Sequence, residues 1–275
     1  MKKLLFALVA SFWVCAGCAG APAVRDLTLQ GDHGKLAAVM HAPNTKQKYP
    51  LVLILHGFNA SKDMELLTEL SDQLNAQGIA TFLFDFNGHG QSEGSFLDMT
   101  IPNELQDARR VYDYVSKLPQ VESVSLAGHS QGGVIAAMLA GELGAEKIKS
   151  VVLMSPAPEL KDDTAKGDLF GVRYDPNNVP EYITLPTGLK VGRAFLETTP
   201  HLPVYEVSSR YTGPVMVLHS ADDQLVPYQY GVRMSECYKN GRLVTLHGFD
   251  HNFTQNTPLA DQVVTDFFTG ELLKK

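Results

Sequence analysis

The sequence is poor in cysteine and has no cluster of basic residues. Only three cysteines occur among its 275 residues, namely Cys15, Cys18 and Cys237. If Cys15 is removed with a leader and Cys18 is acylated, Cys237 has no partner and no internal disulfide forms. The formal net charge is −7 and no run of Lys or Arg is present. We therefore expect no nucleic-acid partner, because nucleic-acid binding needs a basic footprint.

Motifs for cofactors and metals are missing as well. The stretch FLFDFNGHGQSEG follows a strand-like run, but its spacing is G-x-G-x-x-x-G rather than G-x-G-x-x-G, and Pro102 is expected to delay the next helix. No P-loop pattern and no H-E-x-x-H occurs. We therefore expect neither a cofactor nor a metal. A hydrophobic content of 44% and a charged content of 19% favour a globular domain with a large core.

The N-terminus has the build of a bacterial export signal. Two lysines precede an apolar run over residues 4–14 that is short for a bilayer span. The run ends in CAGC, which is similar to a lipobox. We predict that residues 1–17 are a lipoprotein-type signal peptide and that Cys18 is the lipidated first mature residue, which holds an exported protein at the envelope membrane. The alternative is a plain signal peptide, cut a few residues later, and a periplasmic or secreted protein.

Short β-rich runs alternate with helical patterns along the rest of the chain. Several runs are almost continuously apolar, as expected for parallel strands that are buried on both faces. The alternation predicts a doubly wound α/β sheet. The predicted strands cover residues 35–42, 50–57, 79–86, 121–128, 149–156, 214–220 and 241–248, and the predicted helices cover 64–78, 103–118, 131–144 and 258–273.

One long segment interrupts this alternation. Almost sixty residues separate the strand that ends near Ser155 from the strand that begins at Pro214, and they are rich in proline and aromatic residues. A loop of that length in a compact domain usually has a function. We therefore predict an inserted lid at about residues 156–205.

The sequence LAGHSQGGV places Ser130 between two glycines, after an apolar run and before a helical pattern. Glycine on both sides allows a sharp turn that exposes the serine hydroxyl, which is the geometry of a nucleophile elbow. A serine of this kind needs a base and an acid, which follow it in the order Asp or Glu, then His. His251 lies in a loop after the last strand, and Asp222 and Asp223 follow the strand before it. We assign Ser130 as nucleophile, His251 as base and Asp223 as acid.

An oxyanion hole needs two backbone N–H groups. One is expected from Gln131, which follows the nucleophile, and the other from Phe58, in the loop after the first buried strand.

Together these features resemble the α/β-hydrolase family, from about Leu27 to the C-terminus, and within it the bacterial cinnamoyl (feruloyl) esterases. The stretches that carry the resemblance are LHGFNASKDM, FDFNGHGQSEGSFLDMTIPNELQDA, LAGHSQGGV, GVRYDPNNVP and LPVYEVS. The resemblance implies an α/β-hydrolase domain over residues 26–275, whose lid holds an aromatic acyl group. Phe170 and Phe195 would contact the ring, and Asp163 or Tyr174 would meet a ring hydroxyl.

The function predicted on this basis is a serine carboxylesterase that acts on aryl or hydroxycinnamoyl esters, either small or attached to a polysaccharide. The alternatives are a general carboxylesterase, a serine exopeptidase or amidase on the same triad, and a non-catalytic surface-binding lipoprotein. A peptidase would need an acidic anchor for a charged terminus, and no dedicated acidic cluster stands out in the lid sequence. The complete triad counts against a purely binding role.

Overall fold

A computed structural model describes residues 23–273, in which twelve strands are numbered along the chain. Eight strands form one sheet: β1 (Ala23–Gln30), β2 (Lys35–Ala42), β3 (Tyr49–Leu55), β4 (Ala80–Phe84), β5 (Val121–His129), β6 (Ile148–Met154), β11 (Val215–Ser220) and β12 (Gly241–Leu246). The other four are short and lie between β6 and β11: β7 (Asp168–Leu169), β8 (Val172–Arg173), β9 (Tyr182–Thr184) and β10 (Lys190–Gly192).

The large sheet has the order β1-β2-β4-β3-β5-β6-β11-β12. β1 and β2 are antiparallel to their neighbours, and all pairs from β4 to β12 are parallel. The predicted α/β-hydrolase fold, with a mostly parallel doubly wound sheet, is therefore confirmed. In such a sheet the loops at the carboxyl ends of the strands meet along one edge. The segments that follow β3, β5, β11 and β12 converge there.

Helices cover both faces of the sheet. α1 and α8 contact each other and bury apolar residues on one face, whereas α2, α3 and α7 contribute to the core on the other. The helices are α1 (Glu65–Ala76), α2 (Ile101–Val115), α3 (Gln131–Leu143), α4 (Glu159–Ala165), α5 (Arg193–Thr198), α6 (Val204–Ser208), α7 (Tyr228–Glu236) and α8 (Thr257–Leu272). No helix within residues 23–273 is long and apolar enough to cross a membrane.

The predicted strands and helices are confirmed, with shifts of a few residues at their ends. The helix expected to be delayed to Pro102 begins one residue before this proline, at Ile101. Proline is tolerated in the first turn of a helix, where its missing N–H has no intrahelical partner. The Thr100 side chain caps the helix by accepting a hydrogen bond from the Asn103 N–H at 3.2 Å. The edge strand β1 was not predicted, and the export signal and Cys18 lie outside the described residues.

The segment between β6 and β11 is structured and packs on the domain. It contains α4, α5, α6 and the four short strands. α6 contacts α3, and β10 contacts a 3₁₀ turn at Phe96–Asp98. Phe195 and Leu196 of α5 join the same buried cluster as the core of the sheet. The segment is therefore continuous with the hydrophobic core rather than a loose surface loop.

Candidate active site

Ser130 lies in a strained turn between β5 and α3. Its backbone has φ 55° and ψ −122°, a conformation that non-glycine residues rarely adopt. A Cβ at Gly128 would lie 2.2 Å from the carbonyl oxygen of Gly132, and a Cβ at Gly132 would lie 2.3 Å from that of His56. Both glycines are therefore required sterically. The turn leaves the Ser130 side chain at the wall of a cavity, with the residue 9% exposed.

The structure brings the three predicted triad residues together. The Ser130 Oγ lies 2.9 Å from the His251 Nε2, and the Asp223 Oδ2 lies 2.8 Å from the His251 Nδ1. A carboxylate can only accept, so His251 donates from Nδ1 to Asp223. Its Nε2 is then free to accept the hydroxyl hydrogen of Ser130. This is the arrangement in which an imidazole can take a proton from a serine.

Asp223 is held by more partners than the sequence suggests. Its Oδ1 accepts hydrogen bonds from the backbone N–H groups of Leu225 at 2.8 Å and Val226 at 2.9 Å. The Nε2 of His219 approaches its Oδ2 to 3.2 Å. Burial alone would raise the pKa of Asp223, but the hydrogen bonds from His219 and His251 outweigh burial and hold this pKa below its usual value. Asp223 is therefore a carboxylate when His251 takes up a proton and becomes positively charged.

Two other buried histidines, His129 and His56, hydrogen-bond to backbone carbonyl groups of the site rather than to Ser130. The His129 Nε2 lies 3.0 Å from the carbonyl oxygen of His251, so it must carry the hydrogen and donate it. The His56 Nδ1 donates in the same way to the Gly57 carbonyl at 2.9 Å, while its Nε2 accepts the Phe86 N–H at 3.1 Å. Burial lowers the pKa of His56 and of His129 to about 3, so both rings are neutral.

The two residues predicted for the oxyanion hole flank Ser130. Gly57 lies so close that a Cβ on it would be 2.9 Å from the Ser130 Cβ, which brings the Phe58 backbone beside the serine. Gln131 is the first residue of α3, so its N–H is among those without an intrahelical acceptor. Its side-chain Nε2 donates to the Oε2 of buried Glu104 at 2.6 Å. Burial raises the pKa of Glu104 well above its ordinary value.

Ser130 and His251 open onto a cavity of about 240 Å³, which we call the catalytic cavity. Two phenylalanine rings, those of Phe58 and Phe170, line it. The Phe58 ring packs against Phe170 at 5.1 Å, Phe195 at 5.7 Å and Phe96 at 5.2 Å between centroids. The inserted segment contributes Ala157, Glu159, Leu160 and Phe170 to the lining.

The four residues predicted to contact an aromatic acyl group occupy different places. Phe170 lines the catalytic cavity, but Phe195 is fully buried behind Phe58 and is not among the lining residues. Tyr174 is not among them either, and its hydroxyl donates to the Thr164 carbonyl at 3.0 Å. Asp163 lines a neighbouring cavity of about 310 Å³, which we call the lid cavity.

The lid cavity also corrects the expectation that the lid has no acidic cluster. Glu159, Asp163 and Asp168 all line it. They are separated in sequence by four and five positions, and the chain path through α4 and β7 brings them to the same cavity. The sequence did not indicate the roles of Glu159 and Glu104 or the contact of His219 with Asp223. No local sequence pattern marks a residue whose partners lie in distant segments of the chain.

Two family models match long segments of the chain. A family model described as serine aminopeptidase, S33, matches residues 46–173, and one described as TAP-like protein matches residues 192–274. Among curated proteins, the chain is similar to lysophosphatidylserine lipase ABHD12 from Danio rerio, with 24% identity over 240 residues and 81% of this chain covered. It spans only 59% of that protein's length.

Among solved structures, the chain is similar to Est1E from Butyrivibrio proteoclasticus with ferulic acid bound. The sequence identity is 32%, the TM-score is 0.86, and the match covers 90% of this chain and 100% of that one. A second structure of Est1E gives a TM-score of 0.83 at 30% identity. The chain therefore belongs to the α/β-hydrolase family.

Proposed function

We propose that the protein is a serine carboxylesterase that hydrolyses aryl or hydroxycinnamoyl esters through an acyl-enzyme on Ser130. The observation that carries this proposal is the hydrogen-bond chain from Ser130 through His251 to Asp223, which opens onto a cavity lined by Phe58 and Phe170. The whole-length similarity to Est1E, whose structure holds ferulic acid, supports the choice of acyl group.

In the acylation step, the Ser130 Oγ attacks the ester carbonyl carbon while its proton passes to the His251 Nε2. Asp223 keeps the imidazole in the required tautomer and stabilises the imidazolium that forms. The carbonyl oxygen becomes an anion, which the N–H groups of Phe58 and Gln131 stabilise by hydrogen bonds. The intermediate then expels the alcohol, which takes the proton from His251.

In the deacylation step, the same groups act on water. His251 removes a proton from a water molecule as its oxygen attacks the acyl carbon. The second intermediate collapses, Ser130 recovers its proton from His251, and the carboxylic acid leaves. Since both steps pass through an oxyanion at the same position, one pair of N–H groups serves both.

The aromatic lining of the catalytic cavity supports an aromatic acyl group. A volume of about 240 Å³ is small, and the adjoining lid cavity adds about 310 Å³. Aromatic pairs contribute about 0.5–1.5 kcal/mol beyond the burial of their surface, and Phe58 and Phe170 are placed to supply them. The lid residues Leu160 and Phe170 would thus select the acyl group, whereas the sheet loops supply the chemistry.

A serine exopeptidase or amidase is the second candidate. The family description over residues 46–173 and the carboxyl groups in the lid cavity favour it, because such an enzyme would need an acidic anchor for an amino terminus. However, Asp163 and Asp168 already have cationic partners, Lys166 at 3.4 Å and Arg173 at 3.8 Å. We therefore rank the esterase first.

The test is a panel of methyl esters, from acetate to ferulate, assayed beside aminoacyl anilides. We expect kcat/KM to be highest for the aryl esters. Ser130→Ala should abolish labelling by a fluorophosphonate and lower kcat by several orders of magnitude. The matched control is Ser209→Ala, at an exposed serine just after α6, which should label normally.

The other outcomes separate the alternatives. Faster cleavage of anilides than of esters would identify a peptidase. Equal kcat/KM values on esters of short alkyl acids and of aryl acids would indicate a general carboxylesterase. A wild-type protein that neither labels nor turns over any ester would contradict an enzymatic role. Export and anchoring through Cys18 remain predictions from the sequence.

A further inference from the structure

Glu159 is a buried carboxyl group at the junction of the two cavities. The residue is 4% exposed, and its Oε2 has no hydrogen-bond partner among the described residues. It lines both the catalytic cavity and the lid cavity, together with Leu160, Phe170 and Leu225. Those three are apolar, so Glu159 is the polar member of the shared wall. Burying a polar atom without a hydrogen-bond partner costs free energy, so such an atom on a cavity wall points to a role in binding.

The surroundings of Glu159 favour the neutral form of its carboxyl group. Burial raises the pKa of Glu159 well above its ordinary value, and it outweighs the opposing hydrogen bond from the backbone N–H of Glu159 itself. The nearby carboxylates of Asp163, Asp223 and Asp162 raise this pKa further. The phenol groups of Tyr205 and Tyr230 also lie within its electrostatic reach. No basic residue lines either cavity apart from His129 and His251.

A neutral carboxyl group both donates and accepts hydrogen bonds. Its natural complement is a hydroxyl group, which does the same. An ammonium group would instead require an ionised carboxylate, which burial and three neighbouring acids oppose. The position on the wall of the Ser130 cavity makes the substrate the ligand concerned.

We propose that Glu159 is a specificity-determining residue of the active site, whose carboxyl group hydrogen-bonds a hydroxyl group of the bound ester. This inference rests on the proposed esterase function and deepens it. The hydroxyl group belongs either to the acyl part or to the alcohol part of the ester, since the junction of the cavities adjoins the reacting bond. Esters without such a group leave the Glu159 Oε2 unpaired and are disfavoured.

The experiment compares matched pairs of esters. Methyl 4-hydroxycinnamate against methyl cinnamate reports a hydroxyl on the acyl part, and 2-hydroxyethyl butyrate against ethyl butyrate reports one on the alcohol part. The readout is the ratio of kcat/KM within each pair. For the wild type we expect a ratio above one in at least one pair.

Glu159→Leu should reduce that ratio about tenfold, which is the size of one hydrogen bond. Glu159→Gln should keep most of it, because an amide also donates and accepts. Both esters of a pair are assayed on the same preparation, so partial misfolding of a variant cancels in the ratio, and fluorophosphonate titration shows that competent sites are present. Glu206→Leu, at an exposed glutamate of α6, is the control and should leave both ratios at their wild-type values.

Each outcome has a distinct meaning. If the wild type hydrolyses these esters but Glu159→Leu changes neither ratio, the role of Glu159 is wrong while the esterase function stands. If the wild type prefers 6-aminohexanoyl over hexanoyl p-nitrophenyl esters and Glu159→Gln removes that preference, Glu159 binds an ammonium group and the hydroxyl assignment is overturned. If no ester is hydrolysed, the proposed function itself fails.

Discussion

Asp222 and Asp223 are adjacent in the chain but hold different parts of the site. Asp223 contacts His251 at 2.8 Å, whereas the Asp222 Oδ2 accepts the Gly248 N–H at 2.7 Å. Gly248 begins the turn that leads to His251, so Asp222 shapes the loop that presents the base. Asp223 therefore orients the imidazole of His251, and Asp222 orients the backbone of the loop that carries it.

This difference predicts unequal effects of the same substitution. Asp223→Asn should lower kcat by roughly 10⁴-fold, because an amide cannot stabilise the imidazolium and favours the wrong tautomer. Asp222→Asn should stay within about tenfold of wild type, because its amide oxygen still accepts the Gly248 N–H. Steady-state kinetics on p-nitrophenyl acetate measure both. A larger loss at position 222 would show that the acid has been assigned to the wrong residue.

At the scale of elements, α2 and α3 are joined at the site by one buried hydrogen bond. Glu104 of α2 accepts from the Gln131 side chain at the start of α3. The other carboxyl oxygen of Glu104 lies 3.7 Å from the His89 Nδ1. Because Gln131 supplies one of the proposed oxyanion N–H groups, this contact positions the helix end rather than touching substrate.

Removing the contact should therefore weaken catalysis without weakening binding. Glu104→Leu leaves the Gln131 amide with only its weak contact to the Met99 sulfur at 3.8 Å. We expect kcat to fall about tenfold with KM nearly unchanged, since oxyanion contacts strengthen in the transition state. Glu104→Gln should restore most of kcat, because its amide oxygen can accept the same hydrogen bond. A rise in KM with constant kcat would instead indicate that Glu104 supports the substrate cavity.

At the scale of the whole molecule, the α1–α8 layer contains an unpaired acid. Asp261 of α8 is fully buried, and neither of its carboxyl oxygens has a hydrogen-bond partner within residues 23–273. Burial raises the pKa of Asp261 to about 9, with a smaller contribution from Glu69. The folded protein therefore binds a proton that the unfolded chain releases near its ordinary, much lower pKa.

This linkage predicts that Asp261 makes stability depend on pH. The proton stabilises the fold fully below the unfolded-state pKa, and this contribution is lost as pH rises towards 9, by at most about 1.4 kcal/mol per pH unit. Asp261→Asn should thus gain stability relative to wild type between pH 5 and pH 8, as measured by urea unfolding. Asp266→Asn, at an exposed position of α8, should not. A constant difference between Asp261→Asn and wild type across that range would contradict the linkage.

The sequence by itself determined the features that depend on local sterics and periodicity. The glycines around Ser130 are required because the backbone passes within contact distance of itself, and that constraint is visible in five residues. Apolar runs between helical patterns marked the parallel strands, and the positions of Ser130, Asp223 and His251 after β5, β11 and β12 gave their order. Chain order and strand ends suffice there, since parallel strands present their following loops at one edge.

Only the tertiary structure decided which distant side chains line the same cavity, pack together or contact the triad. Phe195 supports Phe58 from behind, Glu159 borders two cavities, and His219 reaches Asp223 from β11. Edge strand β1 was not predicted because most of its residues are exposed and its sequence has no continuous apolar run. Burial and through-space contact arise when distant segments pack together, so no window of sequence contains them.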